Sequence, residues 1–426
     1  MKKYFFLICS CILFVTSCSS DKEILDFENT KVFKAKGGNY SDAFARHVAI
    51  SGKTAVVSAQ NDQTILKHGI AGGNGAIYIF EKQGTTWKQT HKLTPADIDK
   101  SSEIVRFGVL VDIDGDIIVV QASEKYKDRE YQTTHSERTV NYVIERSGET
   151  WVKTAKLTIP STAFGAVCNR TILIGYAYAT PDEEVINGTQ KHRSKGAVYV
   201  YNKKGGEWVV TAKLAPQDSK WNDNFGYNLA SDGRTLVVSR PERLFEDSDP
   251  GISIFANKAG QWKEVSNFNI EHCHVSTALA VCKDTIVVSS PSKKENENWV
   301  HIFKQIGQEW QLVKTLTPPD KAASRFGISV ATNGNYVAVQ SGFSRKASAL
   351  YLYKGPDWKL VEDYKWNTFW AGEKIGPLRI DGDTLIVGIP SDPVYPDNLL
   401  FKLINLFYKD AFYQEGGVCF FDLHTQ

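Results

Sequence analysis

An all-β fold of repeated four-stranded units closed into a ring is what this sequence predicts. Three observations carry that expectation. A hairpin with a tryptophan just past its turn recurs along the chain, a second hairpin precedes each copy, and the last copy lacks one strand that a segment near the N-terminus can supply.

The clearest copy of the first hairpin is residues 196–214, GAVYVYNKKGGEWVVTAKL. Its start alternates and is rich in β-branched and aromatic residues, as a strand is. Lys203-Lys204-Gly205-Gly206 is a turn, and the stretch from Trp208 to Leu214 is the returning strand. Residues 75–93 and 141–157 repeat it, with weaker copies at 251–262, 300–316 and 349–360; the tryptophans are Trp87, Trp151, Trp208, Trp262, Trp310 and Trp358. The preceding hairpin reads FGYNLASDGRTLVVSRP from Phe225, FGVLVDIDGDIIVVQAS from Phe107, FGISVATNGNYVAVQSG from Phe326 and IGPLRIDGDTLIVGIP from Ile375. Degenerate copies begin at Phe44, Phe164 and Leu279. Asp232-Gly233 and Asn333-Gly334 mark its tight turns.

One unit is therefore four antiparallel strands. Such a sheet cannot bury both faces alone, so radial stacking buries the faces and closure protects the edges. The expected fold is a seven-bladed β-propeller. Its last blade takes residues 416–421 as a third strand and residues 27–33 (FENTKVF), from the N-terminus, as the closing fourth. The repeated tryptophans are expected to pack between blades; a buried aromatic removes about 150–250 Å² from water.

The pattern resembles the FG-GAP repeats of the integrin α-subunit propeller and its bacterial relatives. Phe-Gly stands at 107–108, 164–165, 225–226 and 326–327, and the second half survives as Gly388-Ile389-Pro390, Ser239-Arg240-Pro241 or Ser289-Ser290-Pro291. The resemblance implies a binding or adhesion role, and in the integrin-type repeat it implies calcium loops of form DxDxDG. Asp112-Ile113-Asp114-Gly115-Asp116 and Asp381-Gly382-Asp383 depart from that form: the glycine comes early and strand follows at once. Calcium needs 6–8 oxygens, so these stretches are read as hairpin turns, and no cofactor is expected.

The chain has 426 residues, a net charge of +2, 42% hydrophobic and 12% aromatic residues. That is ample for a core, and the even charge mixture argues against a nucleic-acid partner. Lys2-Lys3 followed by an apolar run to Phe14 reads as a targeting segment over 1–17. Val15-Thr16-Ser17-Cys18 resembles the lipobox of bacterial lipoproteins, which implies lipidation of Cys18 and an outer-membrane anchor. Residues 18–26 are then a lipidated tether and 27–426 a single propeller. Cys168, Cys273, Cys282 and Cys419 are expected to be free, because Cys168 and Cys282 occupy one slot of non-adjacent copies.

No nucleophile, phosphate-loop or paired-cysteine metal motif is present, and His272-Cys273-His274 lacks the partners a zinc site needs. The turns before Trp87 and Trp151 resemble the Asp-box of sialidases without its aspartate. No catalytic or metal residue is assigned. In a four-stranded meander the 1–2 and 3–4 turns share one face, and the 2–3 and inter-blade connections the other. The first set is short; the second is long, varied and aromatic, as at 61–74, 124–138, 178–195, 241–250, 392–416, 95–106, 216–224 and 366–374. Varied loops on a rigid scaffold are where binding sits. Tyr126, Tyr131, Tyr178, Trp221, Arg240, Arg243, Phe245, Trp366 and Trp370 are the candidate ligand-binding residues. Residues 397–413 (DNLLFKLINLFYKDAFY) form an amphipathic helical insertion in blade seven. The functional expectation is a surface-anchored, non-catalytic module binding a protein partner. A glycan-binding or glycan-active propeller and a structural subunit of an outer-membrane complex are the alternatives.

Overall fold

The computed structural model describes residues 33–36, 42–62, 73–100, 103–127, 135–157, 165–177, 179, 195–217, 224–241, 250–270, 278–290, 298–319, 325–344, 347–366, 377–389 and 417–423. The targeting segment, Cys18 and its tether, the 272–274 motif and the 397–413 insertion lie outside them. The strands form seven antiparallel sheets, each ordered as it occurs in the chain. Blade one spans 44–93, two 104–157, three 165–214, four 229–269, five 279–316, six 329–366 and seven 378–422. Six sheets show four strands and the seventh shows three.

The missing place in blade seven is taken from the N-terminus. Phe33 forms an antiparallel bridge to Val418, and the two exchange backbone hydrogen bonds of 2.9 Å each. The Phe33 ring sits edge-on to Phe420 at 5.5 Å and to Phe80 at 6.3 Å. A strand from one end of the chain thus closes the blade of the other.

Seven apolar clusters hold the ring together, and each lies between two successive blades, the one joining blades seven and one included. A tryptophan from the fourth strand enters six of them. Trp151 packs on blade one, Trp310 on blade four and Trp358 on blade five. Trp87 stacks on Phe420 of blade seven, 4.2 Å away and 10° from parallel. Trp208 reaches back to blade two, where its indole N–H donates to Glu145 at 2.8 Å. Among the described residues, the cluster between blades six and seven holds no tryptophan.

The Phe-Gly motif has its own reason. Phe107, Phe225 and Phe326 are fully buried, and the glycines after them have positive φ. Each pair presses on the start of the third strand in the preceding blade. A Cβ on Gly196 would lie 2.0 Å from the Phe225 carbonyl oxygen, and one on Gly226 would lie 2.6 Å from that of Ala197. Only glycine allows the two backbones to come this close. Inside blades one, four and five a second-strand serine receives an N–H that the short first strand leaves unpaired: His47 donates to Ser58, Asn228 to Ser239 and Ala278 to Ser289.

Two stretches read as loops are ordered structure. The segment 124–138 is largely a protruding hairpin, because the second and third strands of blade two run on to Lys127 and back from His135. The uninterrupted alternation through Glu124, Tyr126, Ser136 and Arg138 lets pairing continue past the body of the blade. Within 95–106, Pro95–Ile98 makes one helical turn whose preceding Thr94 donates its N–H and hydroxyl to Asp97. Proline at the first helical position suits this start.

Two outcomes test this architecture. Phe33→Ala should cost about 2 kcal/mol in chemical denaturation, less than a fully enclosed phenylalanine, by loosening the closing seam. Gly196→Ala should cost ~3 kcal/mol or more, whereas Gly205→Ala, with nothing within 4 Å of its Cβ, should cost about 1 kcal/mol.

Candidate functional site

On the long-loop face the roots of two connections are clamped by the same device. In blade one the buried Asp62 carboxylate accepts from the Tyr78 hydroxyl and forms an ion pair with Lys92 at 2.9 Å. Blade two repeats it: buried Glu124 accepts from Tyr142 and pairs with Lys156 at 2.7 Å and Arg138 at 3.3 Å. The tyrosine is the third-strand residue after the seam position, and the lysine is its cross-strand neighbour. Blade three keeps Lys213 over the Tyr199 ring at 5.7 Å. Burial and the Asp62 charge push the Tyr78 hydroxyl well above the usual range, so it stays a donor. A hydrogen-bonded carboxylate at the first residue of a loop fixes where that loop leaves the ring.

Of the sequence-derived candidates, Tyr131, Tyr178, Trp221, Arg243, Phe245 and Trp370 lie outside the described residues. Tyr126 lies on the protruding hairpin opposite Ser136, and Trp366 ends the fourth strand of blade six opposite Ser348, so neither is in a loop. Arg240 differs from expectation. It is the last residue of a second strand, paired with Gly251, and is only 3% exposed, so its guanidinium is enclosed rather than presented.

The opposite, short-turn end holds a cavity of about 690 Å³ on the propeller axis, walled by the first strands of all seven blades. A chain of contacts around its rim joins each first hairpin to the next. Gly52 N–H donates to Asp381, Gly115 N–H to Ser51, Val167 N–H to Asp112, the Cys168 thiol to Ser231, Lys283 N–H to Asp232, Thr285 hydroxyl to the Gly334 carbonyl, and the Asn333 amide to the Gly382 carbonyl. Asp112 and Asp381, read as turn residues, thus each give an acceptor oxygen to the neighbouring blade. Among the described residues no group of three or more His, Cys, Asp or Glu side chains is placed to hold a metal ion. Cys168, Cys282 and Cys419 are free, and burial pushes the Cys168 and Cys419 thiols up to about 12.

Register defines an equivalent position on the first strand of every blade. Opposite Val56, Val119, Leu173, Val237, Val287, Ala338 and Ile386 stand Ala49, Asp112, Ala166, Ala230, Ala280, Ala331 and Arg379. Five are alanine; the two charged exceptions have opposite sign and flank blade one. Asp112 is anchored by the Val167 N–H at 2.8 Å, and Arg379 Nη1 donates to the Leu378 carbonyl at 2.9 Å. The two feel one another's charge without forming a direct ion pair. Burial raises the Asp112 carboxyl to about 6 despite the opposing pull of Arg379 and two backbone N–H groups, with Asp114 adding a smaller push in the same direction. His47 nearby is held down to about 3, first by burial and then by Arg379 and Arg46, so it is neutral at physiological pH.

This geometry defines the molecule as a seven-bladed β-propeller with an axial cavity and two unlike faces. The FG-GAP repeat model matches residues 27–80 and 208–252, so these two stretches are similar to FG-GAP repeats. No curated protein sequence matches it. Among solved structures, one from an analysis of two prolyl endopeptidases aligns at TM-score 0.51 and 12% identity, covering 82% of this chain and 46% of that one. One from the mitotic checkpoint complex aligns at 0.50 and 10%, covering 100% of each. The Pyrococcus horikoshii acylaminoacyl peptidase aligns at 0.46 and 12%, over 84% of this chain and 49% of that one. The chain thus spans about half the length of either peptidase. At these identities the likeness is one of fold.

Asp112 and His47 oppose one another in pH dependence. Asp112, raised from 3.8 to about 6, favours the folded state below its ordinary value and loses that contribution as pH rises through 6. His47, lowered from 6.5 to about 3, stabilises above 6.5 and loses that as pH falls through 3. Asp112→Asn should therefore leave the His47 slope uncompensated. Its stability should fall more steeply than the parent's between pH 6.5 and pH 3.8, by on the order of 2 kcal/mol across that window in urea titrations.

Proposed function

We propose that the protein is a non-catalytic binding module, held at the bacterial outer membrane through a lipidated Cys18, that takes a protein partner on its long-loop face. The observation carrying this reading is the asymmetry of the ring. On one face the turns are tight and tied blade to blade. On the other, the connections between second and third strands vary from 345–346 to 390–416. Rigid roots with varied connections suit recognition, because the scaffold holds the ordering entropy of the contact surface low. The Asp62 and Glu124 clusters supply such roots. The sequence of these connections supplies Tyr131, Tyr178 and Arg243, and that of the inter-blade connections on the same face supplies Trp221 and Trp370, residue types that commonly anchor protein contacts.

The test is cross-linking and co-purification from the envelope of cells making the intact chain, beside a variant with Tyr131, Tyr178, Trp221 and Trp370 changed to alanine. The variant should keep the parent's melting temperature and lose about tenfold or more of the captured partner. Undiminished capture would remove the long-loop face from the reading. Capture of glycan in place of protein would favour a sugar-binding propeller instead.

A further inference from the structure

The axial cavity is a second, separate place for a ligand, independent of the long-loop face. Its volume falls within the range of small-molecule sites, about 300–1,000 Å³. The alanine ring shows what the axis requires for packing alone: five of the seven equivalent positions carry the smallest side chain with a Cβ. Asp112 and Arg379 break that rule. Both side chains are half-buried; drawing either charge partly out of water costs free energy unless a partner answers it, and a purely structural pair recovers that cost by direct contact. These two do not close on each other. Both are fastened to the wall by backbone groups, the carboxylate by the Val167 and Ile113 N–H groups and the guanidinium by its bond to the Leu378 carbonyl. Asp114, two residues beyond Asp112, also lines the cavity. The neighbouring imidazole, His47, is neutral and adds no competing charge.

We propose that this cavity binds a small zwitterion of the amino-acid type, its carboxylate received by Arg379 and its ammonium group by Asp112. The guanidinium presents a fork of donors suited to a carboxylate. The Asp112 carboxylate is acceptor-only when ionised and suits an ammonium group. Ala166, Ala230, Ala280 and Ala331 line the rest of the wall at this level and leave room for a side chain. Specificity follows from the pair: a ligand carrying one charge leaves the other half-buried group unanswered.

The experiment is isothermal titration of the full chain at neutral pH with the free proteinogenic amino acids one by one, and with propionate and propylamine as single-charge probes. At least one amino acid should bind saturably, and both single-charge probes should bind about tenfold or more weakly than it. Arg379→Gln and Asp112→Asn should each weaken the amino acid by about tenfold or more. Ala230→Leu, which fills the cavity without touching either charge, should abolish binding while circular dichroism shows the parent's strand content. The proposal is overturned if no amino acid gives a saturable heat. It is also overturned if propionate binds as tightly as the amino acids and ignores Asp112→Asn, since the cavity would then be a plain anion site. Because these readings come first from the unaltered chain, a variant that fails to fold does not rescue the idea. Loss of the long-loop reading would not affect it.

Discussion

The structure depends on one constraint: each four-stranded blade has two apolar faces and can bury neither without a neighbour. The seven seams meet that need in turn, and the last works only because the chain's start returns to its end. Trp87 stacked on Phe420, with Phe33 wedged beside both, is the physical form of closure. At ~25 cal/mol/Å², burial of one such indole stabilises by several kcal/mol as an upper bound. Around that apolar belt the polar contacts are short-range. Serines serve the first strand of their own blade in blades one, four and five, and the rim contacts tie each inner hairpin to the next.

That division of labour separates the two ends of the ring. At the short-turn end the rim is committed to holding seven edge strands in register, and the turns stay tight. At the other end the requirement is met one residue in, by Phe-Gly pressing on the preceding blade. Where they leave the body, buried Asp62 and Glu124 are answered by tyrosine and lysine together. A buried carboxylate with both partners is stable, and one stripped of either is costly. The roots are therefore stiff even where the connections differ.

The axis is where symmetry and chemistry part. A sevenfold ring of like strands calls for like residues at its centre, and alanine meets the call five times. Asp112 and Arg379 are intelligible only as a departure from that pattern. Their environment keeps one acid close to its titration range and a histidine neutral beside an arginine. This end of the molecule is electrostatically poised, although its outline is uniform.

Much of this was legible in the residues. Periodic Trp, Phe-Gly and Asp-Gly name the number of blades, the strand order and the closing segment, because each reports a local need: an indole for a seam, a glycine for close backbone approach, a turn for a hairpin. Three of the five axial alanines, Ala49, Ala230 and Ala331, can be read by aligning the copies on Phe44, Phe107, Phe225 and Phe326. What the residues could not declare was which side chains meet across blades. Asp112 in a DxDG string looks like a turn until strand pairing puts it inside Ile104–Asp114, facing blade three. Arg240 looks like a surface anchor until it pairs as the last residue of its strand with Gly251 and is enclosed. The partnership of Asp112 with Arg379 joins residues far apart in the chain. Local pattern determines the blade, but the placing of charge at the axis is decided only when the ring closes, because closure sets blade seven against blade one, with blade two on that blade's other side.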